Sequence, residues 1–248
     1  MNKVNFSGLP EQRRPVFPGG VAILCAVFEA LEIDHMTVSE GALREGLLHD
    51  LLGRLHDQDT RDKTVADLEQ RYAIDKDQAK RVEDTVCLLF NKTREPWSLS
   101  RDADLKLLKW SARLHELGIT IAHAQYHRHG AYLISHSDMP GFSNQEQLKL
   151  AMLVRSHRRK LPPAEELASI PTEDQPAVMR LYILLRLAVL LNRSRSNRPL
   201  PRIKATAGED SLTMKFPKDW LQSNPLTLAD LETEADYLQA VKFTLTFE

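Results

Sequence analysis

Apolar residues recur every three or four positions through the middle of the chain, between about residues 59 and 193. Val65, Leu68 and Tyr72, for example, are spaced to share one face of an α-helix. Asp75 and Gln78 match a capping box that opens the next helix, which Pro96 ends. Further helices are predicted over residues 102–118, 129–134, 146–157, 165–169 and 177–193. The last is the most apolar, so we expect it at the centre of a mainly α-helical bundle.

The pattern changes to alternation near the C-terminus. Pro199 and Pro201 mark a boundary, after which residues 203–205, 212–216 and 241–247 alternate like strands around a turn at Gly208. We therefore predict a small α+β unit at this end.

The sequence of the N-terminal region predicts a fragment of an α/β layer. A loop is predicted over Gln12–Gly20, followed by a helix at Val21–Leu31 that is apolar on nearly every face and should be fully buried. A short strand at 36–39 and a helix at 42–55 follow. Since one strand cannot form a sheet, we expect this layer to be completed by a segment upstream.

Composition narrows the function classes. With 42% apolar and 27% charged residues, the 248-residue chain is typical of a soluble protein, and its net charge of -1 means that a polyanion would need a local basic patch. Cys25 and Cys87 lack metal-type spacing and suit a reducing cytoplasm. No signal peptide or membrane-length apolar stretch is visible. Basic runs without interleaved aromatics argue against nucleic acid.

Five of the nine histidines lie between residues 114 and 142: His115, His123, His127, His129 and His136. Three interpretations stay open. His115 and Glu116 could ligate a metal. His127, Arg128 and His129, in a predicted loop before a helix, could bind an anion. The histidines could also be structural.

Two further basic runs lie at predicted helix ends. The first holds Arg155, His157, Arg158, Arg159 and Lys160; the second holds Arg193, Arg195 and Arg198. They could converge with the histidine segment on a polyanion, or be solvated helix ends that complement the helix dipole. Gly19-Gly20 could cradle a phosphate or form a simple turn.

Longer motifs resemble a known family. FPGG…MTVSEGALREG (residues 17–46), LHELG…HRHGAYLI…SDMPGF, LVRSHRR and LLRLAVLLNRSR resemble the C-terminal part of the exopolyphosphatase / guanosine-pentaphosphate phosphatase family. The segments HRHGAYLI and PGF resemble the exopolyphosphatase branch more than the guanosine-pentaphosphate phosphatase branch. The resemblance implies a chain of three parts: 1–57 as the end of an actin-like domain, 58–198 as an HD-like helical bundle, and 199–248 as a small α+β unit.

The resemblance also implies a parent activity, the release of terminal phosphate from inorganic polyphosphate with Mg²⁺. The family's catalytic groups belong to actin-like domains of which only residues 12–55 would be present, so this chain alone is expected to be inactive. The HD-like site departs from a working one. Its pair is His115-Glu116, its early position falls near Arg61-Asp62 without a histidine, and its late aspartate position is Val189. At most two metal ligands remain, so we expect no metal bound by this chain.

The first hypothesis is therefore a region that binds polyphosphate, contacts its own catalytic domains and forms a homodimer in the cytoplasm, without membrane or nucleic-acid partners. The expected anion contacts are His127, Arg128, His129, Arg155, His157, Arg158, Arg159 and Arg193. Alternatives are the C-terminal region of a guanosine-pentaphosphate phosphatase, an autonomous HD-type hydrolase using His115 and Glu116, and a purely structural dimer module.

Overall fold

The computed structural model describes residues 10–36, 59–161 and 167–248. The chain divides into two compact units, residues 1–49 and 50–248. The first unit contains a 3-10 turn, Glu11–Arg13, and helix α1, Phe17–Ala30. The predicted loop is thus too long: the helix begins at Phe17, since Pro18 in the first turn presets a helical φ. Most of the predicted strand at 36–39, and the whole helix at 42–55, lie outside the described residues.

Helix α1 is exposed rather than buried. None of its residues is buried. Ile23 within the helix and Leu31 directly after it each keep more than two thirds of their surface accessible. The burial that the sequence pattern favours, against layers expected upstream, does not occur among the described residues. A helix that is apolar on every face is stable in water only when other elements pack around it. The described residues of this unit provide no second apolar surface for it to pack against.

The second unit is mainly helical, as predicted. Its helices are α2 (Thr60–Arg71), α3 (Lys76–Thr93), α4 (Ala103–Leu114), α5 (Tyr126–His136), α6 (Asn144–Ser156) and α7 (Gln175–Leu191), with a 3-10 turn at Leu117–Thr120. The C-terminal part contains β1 (Lys204–Gly208), β2 (Ser211–Lys215), α8 (Trp220–Ser223), α9 (Pro225–Gln239) and β3 (Thr244–Phe247). Most of the helix predicted at 165–169 lies outside the described residues.

Capping residues set several helix starts. Asp75 accepts a hydrogen bond from the Gln78 backbone N–H (3.0 Å), but the Gln78 side chain donates to the Asn192 carbonyl instead of reaching back. The predicted capping box is therefore one-sided. The full box occurs at Ser143 and Glu146, before α6.

Helix α7 runs through the core, as its sequence predicts. Leu181, Leu184, Leu185, Leu187 and Ala188 are fully buried. One hydrophobic cluster joins these residues with side chains of the C-terminal part, among them Leu231 of α9 and Leu245 of β3.

The small sheet has the order β1-β2-β3, with β1 antiparallel and β3 parallel to β2. Leu212 and Met214 on β2 and Leu245 on β3 are buried while their neighbours are more exposed, the alternation that predicted strands here. The last strand is shorter than predicted, because Lys242 adopts a left-handed conformation (φ 62°) and the strand begins only at Thr244. Within the described residues, no helix is long and apolar enough to cross a membrane.

Candidate anion-binding cleft

The start of α5 and the end of α6 form one open cleft. The two helices pack closely along their length, and Gly130 permits the approach: a Cβ there would lie 3.0 Å from Val154 Cγ1. Gly118 allows the 3-10 turn to pass under α5, since its Cβ would lie 2.0 Å from the Tyr126 carbonyl oxygen. The resulting cleft has a volume of 610 Å³.

Cations dominate the cleft. Among its lining residues are Arg128 from α5 and Arg155, Arg158, Arg159 and Lys160 from the end of α6. No aspartate or glutamate lines it among the residues that the structure describes. Gln125, His127 and Arg128 at the start of α5 also line the cleft, so the positive end of this helix dipole lies beside it. Two of the three basic segments identified in the sequence therefore meet in one place.

Several cleft residues have defined conformations. The Arg158 guanidinium lies 4.7 Å from the centre of the Tyr126 ring, a cation–π distance. Arg159 occupies the left-handed region with φ 67°, which turns the chain sharply after α6. Tyr237 of α9 contributes another wall.

The three histidines expected to bind the anion are in different places. Helix α5 begins at Tyr126, three residues earlier than predicted, so His127, Arg128 and His129 belong to its first turn and not to a loop. His127 lines the cleft, whereas His129 does not and lies beside Gly118.

His127 is more than nine-tenths buried on the cleft floor. Burial, and then the positive charges of Arg158, Arg128, Arg159 and Arg155, lower its pKa from 6.5 to about 4. The side chain is therefore neutral near pH 7, and it is not the cationic contact that the sequence suggested. Its Nδ1 atom is buried without a hydrogen-bond partner among the described residues.

His157 lies behind the cleft in the protein interior. Its Nδ1 donates to the Val154 carbonyl oxygen (2.5 Å), and its Nε2 lies 3.4 Å from the Tyr126 hydroxyl. Burial lowers its pKa well below the usual value. A neutral, buried imidazole makes no charge contact with an anion in this cleft. His157 also lines a neighbouring cleft that contains Arg193, so its role as an anion ligand stays a prediction.

His115 and Glu116, the expected HD pair, do not form a metal site. His115 Nδ1 donates to the Ala112 carbonyl (2.6 Å), and its Nε2 lies 4.0 Å from the Glu116 carboxylate. That carboxylate is ion-paired with Arg195, which also donates to Asp75 (2.8 Å). Desolvation lowers the pKa of His115.

The other positions expected for an HD site are occupied by unrelated contacts. Arg61 binds the carboxylates of Asp59 and Glu146, and Asp62 accepts a hydrogen bond from Trp110 Nε1 (2.6 Å). Val189 has no ligating atom. Over residues 10–36, 59–161 and 167–248, no group of three metal-ligating side chains comes together. These residues do not fit a divalent metal ion.

Arg193 lies in a second cleft, with a volume of 340 Å³. It donates to Asp230 (2.6 Å), so its charge is balanced locally. The second cleft shares Arg158, Arg159 and Tyr237 with the first. Arg193 thus meets Arg158 and Arg159 in the second cleft but does not line the first.

The sequence did not identify Tyr126, Tyr237 or Arg186 as parts of this region. Tyr126 lies in the histidine segment, and its position next to His127 and Arg128 could have indicated a residue of the anion-binding region. Tyr237 and Arg186 come from distant helices, and no local pattern relates them to residues 155–160.

Comparisons with known proteins match both units. A family profile described as Ppx/GppA phosphatase, domain III, matches residues 60–235, and one described as Ppx/GppA phosphatase family matches residues 1–55. Curated relatives named guanosine-5'-triphosphate,3'-diphosphate pyrophosphatase include one from Aeromonas hydrophila subsp. hydrophila, 38% identical over 96% of this chain and 48% of its own length. Those from Pseudoalteromonas translucida and Vibrio cholerae are 37% and 36% identical, over 46% and 49% of their lengths. The chain spans about half the length of these relatives.

Proposed function

The chain belongs to the Ppx/GppA phosphatase family, and from this premise we propose that it binds the phosphate chain of a phosphoanhydride substrate, guanosine pentaphosphate in the first place. The observation that carries the proposal is the cleft between α5 and α6. It gathers five cations, a helix N-terminus and no carboxylate among the described residues. Such a site favours a ligand with several negative charges in a row.

The choice of substrate rests on the relatives. Their names refer to guanosine pentaphosphate, which supports that alternative better than the exopolyphosphatase branch suggested by the HRHGAYLI segment. Inorganic polyphosphate remains the second candidate for one structural reason. Arg158 and Arg159 line both clefts, so a longer phosphate chain could run along them from the first cleft into the second.

Catalysis is proposed to lie in the part of the longer relatives that this chain does not span. Phosphatases of this family generally use a divalent metal, and the described residues of this chain do not fit one. The metal would therefore be held elsewhere in the whole protein. Residues 58–198 would be an HD-like bundle retained as a binding scaffold, with 199–248 as a further unit.

The partners are proposed on the same basis. The exposed apolar side chains in and directly after α1, such as Ile23 and Leu31, would pack against the catalytic domains of the same protein. A homodimer and a cytoplasmic location remain predictions from the family resemblance.

The test is a binding titration of this chain with guanosine pentaphosphate, GTP and polyphosphates of graded length, at several salt concentrations. We expect affinity to rise with the number of phosphates and to fall steeply with salt. A variant with Arg155→Gln and Arg158→Gln should lose most of this binding. Arg71→Gln, on the exposed end of α2 and away from both clefts, is the matched control. Equal binding by both variants would contradict the proposal.

Phosphate release followed in the same samples separates the alternatives. With Mg²⁺ or Mn²⁺ added, we expect no release by this chain. Release that His115→Ala abolishes would instead support an autonomous HD-type hydrolase. Absence of any salt-sensitive binding would favour a purely structural module.

A further inference from the structure

Arg186 is a fully buried arginine in the apolar helix α7. It is 2% exposed, and all three nitrogens of its guanidinium group donate hydrogen bonds. Its Nε and Nη2 donate to the two carboxylate oxygens of Glu234 on α9, the second at 2.7 Å. Glu234 is itself buried. A fork-to-fork pair of this kind fixes the orientation of both side chains.

The remaining donors of Arg186 reach the backbone of the cleft. Nη1 donates to the Ser156 carbonyl oxygen and Nη2 donates to the Arg159 carbonyl oxygen, both at 2.6 Å. Ser156 is the last residue of α6, and Arg159 is the left-handed residue at which the chain turns. One guanidinium therefore holds both ends of the segment that presents Arg158 and Arg159.

We infer that Arg186, oriented by Glu234, positions the cationic loop 156–160 for anion binding and makes α9 a required wall of the cleft. The role is one of positioning, because Arg186 contacts the loop backbone and not the anion. Tyr237, one turn after Glu234 on α9, lines the same cleft and lies near the Arg186 guanidinium. The inference rests on the proposed function of the cleft.

Energetics favour a positioning role over a purely stabilising one. Removing two charges from water costs nearly as much as their attraction returns, and buried ion pairs can often be replaced by apolar side chains without loss of stability. Apolar replacements cannot, however, donate to the carbonyl groups of Ser156 and Arg159. A variant in which apolar side chains replace the ion pair should therefore keep its stability but lose the geometry of the loop.

The test compares Arg186→Met with the double variant Arg186→Met/Glu234→Met. The single variant leaves a buried carboxylate unpaired and should unfold at lower temperature or fail to fold. The double variant should recover most of the melting temperature while its affinity for polyphosphate stays about tenfold lower, the effect of about one lost charge contact. Recovery of both stability and affinity in the double variant would overturn the inference.

A matched control is the Arg113–Glu69 pair, which is also two-pronged, with Arg113 Nε donating to Glu69 at 2.9 Å, but joins α4 to α2. Arg113→Met/Glu69→Met should leave the affinity unchanged. Arg186→Lys adds a conservative step: one ammonium cannot bind both carbonyls and the carboxylate with the same geometry, so partial loss of affinity is expected.

Hydrogen exchange without ligand distinguishes this inference from the proposed function. The amide groups of residues 158–161 should exchange faster in the Arg186→Met/Glu234→Met variant than in the parent chain, and those of α2 should not change. If the parent chain binds no polyphosphate or guanosine pentaphosphate, the proposed function fails whatever the exchange shows. Unchanged exchange at 158–161 overturns the positioning role even if the parent chain binds.

Discussion

The basic residues at the end of α6 and those at the end of α7 look alike in sequence but differ in their surroundings. Arg158 and Arg159 line the first cleft, where no carboxylate lies among the described residues, and they also border the second, whose Asp230 and Glu234 pair with Arg193 and Arg186. Arg193 and Arg195, by contrast, are ion-paired, with Asp230 in one case and with Glu116 and Asp75 in the other. A cation that is ion-paired within the protein attracts an anionic ligand less strongly. Neutralising arginines in the two groups should therefore change anion affinity by different amounts.

The largest contrast should appear when two arginines of each group are neutralised. We expect Arg158→Gln/Arg159→Gln to weaken polyphosphate binding about 30-fold, since two charged contacts of about 1 kcal/mol each are lost. The matched variant Arg193→Gln/Arg195→Gln should change affinity less than about threefold. Calorimetric or anisotropy titrations measure both. Similar losses in the two double variants would remove the distinction between the groups.

The reverse contrast should appear in stability. Arg195→Gln leaves the carboxylate of Glu116, which is 9% exposed, without its cation. The free energy of unfolding should fall by about 1–3 kcal/mol, the cost of an unsatisfied buried group. Denaturant unfolding measures it. Arg158→Gln, which breaks no ion pair with a carboxylate of the cleft, should lower it by less than about 1 kcal/mol. A larger effect for Arg158→Gln would contradict the comparison.

A smaller effect is expected when charge is kept and shape is changed. Arg158→Lys loses the planar contact with the Tyr126 ring, and we expect a decrease of about threefold to fivefold in anion affinity. Arg193→Lys keeps its pairing with Asp230 and should bind as the parent chain does. Titrations at a single low salt concentration suffice, and equal affinities for the two lysine variants would show that shape is unimportant at Arg158.

The smallest contrast concerns pH. The pKa of His127 is about 4 in the folded protein and 6.5 as its usual value, so the unfolded chain takes up this proton first as pH falls. Stability associated with neutral His127 is therefore present above about pH 6.5 and lost as pH decreases toward 4. His115 and His157 act in the same direction.

Melting temperatures between pH 7 and pH 4 test this point. The decline should be shallower in His127→Gln than in the parent chain, by the equivalent of less than one proton. His136→Gln, at the far end of α5, is the control and should follow the parent curve. Parallel curves for all three proteins would contradict the lowered pKa of His127.

Local sequence was a good guide where short-range physics decides the outcome. The helical spacing of Val65 and Leu68, the cap at Asp75 and the alternation around Leu212 each predicted the correct element. The sequence does not predict the start of α5, because no capping side chain marks it: Gln125 adopts a left-handed conformation (φ 55°) and its side chain makes no capping hydrogen bond. The sequence pattern therefore assigns His127 and Arg128 to a loop.

The site was only partly predictable for a related reason. Arg155, Arg158 and Arg159 were identified as anion contacts, and the cleft places them together. The burial of His157 could not be inferred, because a histidine at a helix end is exposed or enclosed according to what packs against it. Here Tyr126 and His115 do so, with ring centres 5.4 and 5.5 Å away.

Helices α1 and α7 make the same point for the core. Both sequences are almost wholly apolar, yet α7 is enclosed and α1 is exposed. The sequence alone determined the mainly helical class, most element positions, the family and the residues able to carry positive charge. Only the tertiary structure decided which charges stay available and which are balanced, because Arg158 and Arg195 differ in their neighbours and not in their local sequence. Those neighbours, such as Glu116 and Asp75 beside Arg195, come from distant segments, and short-range patterns carry no information about them.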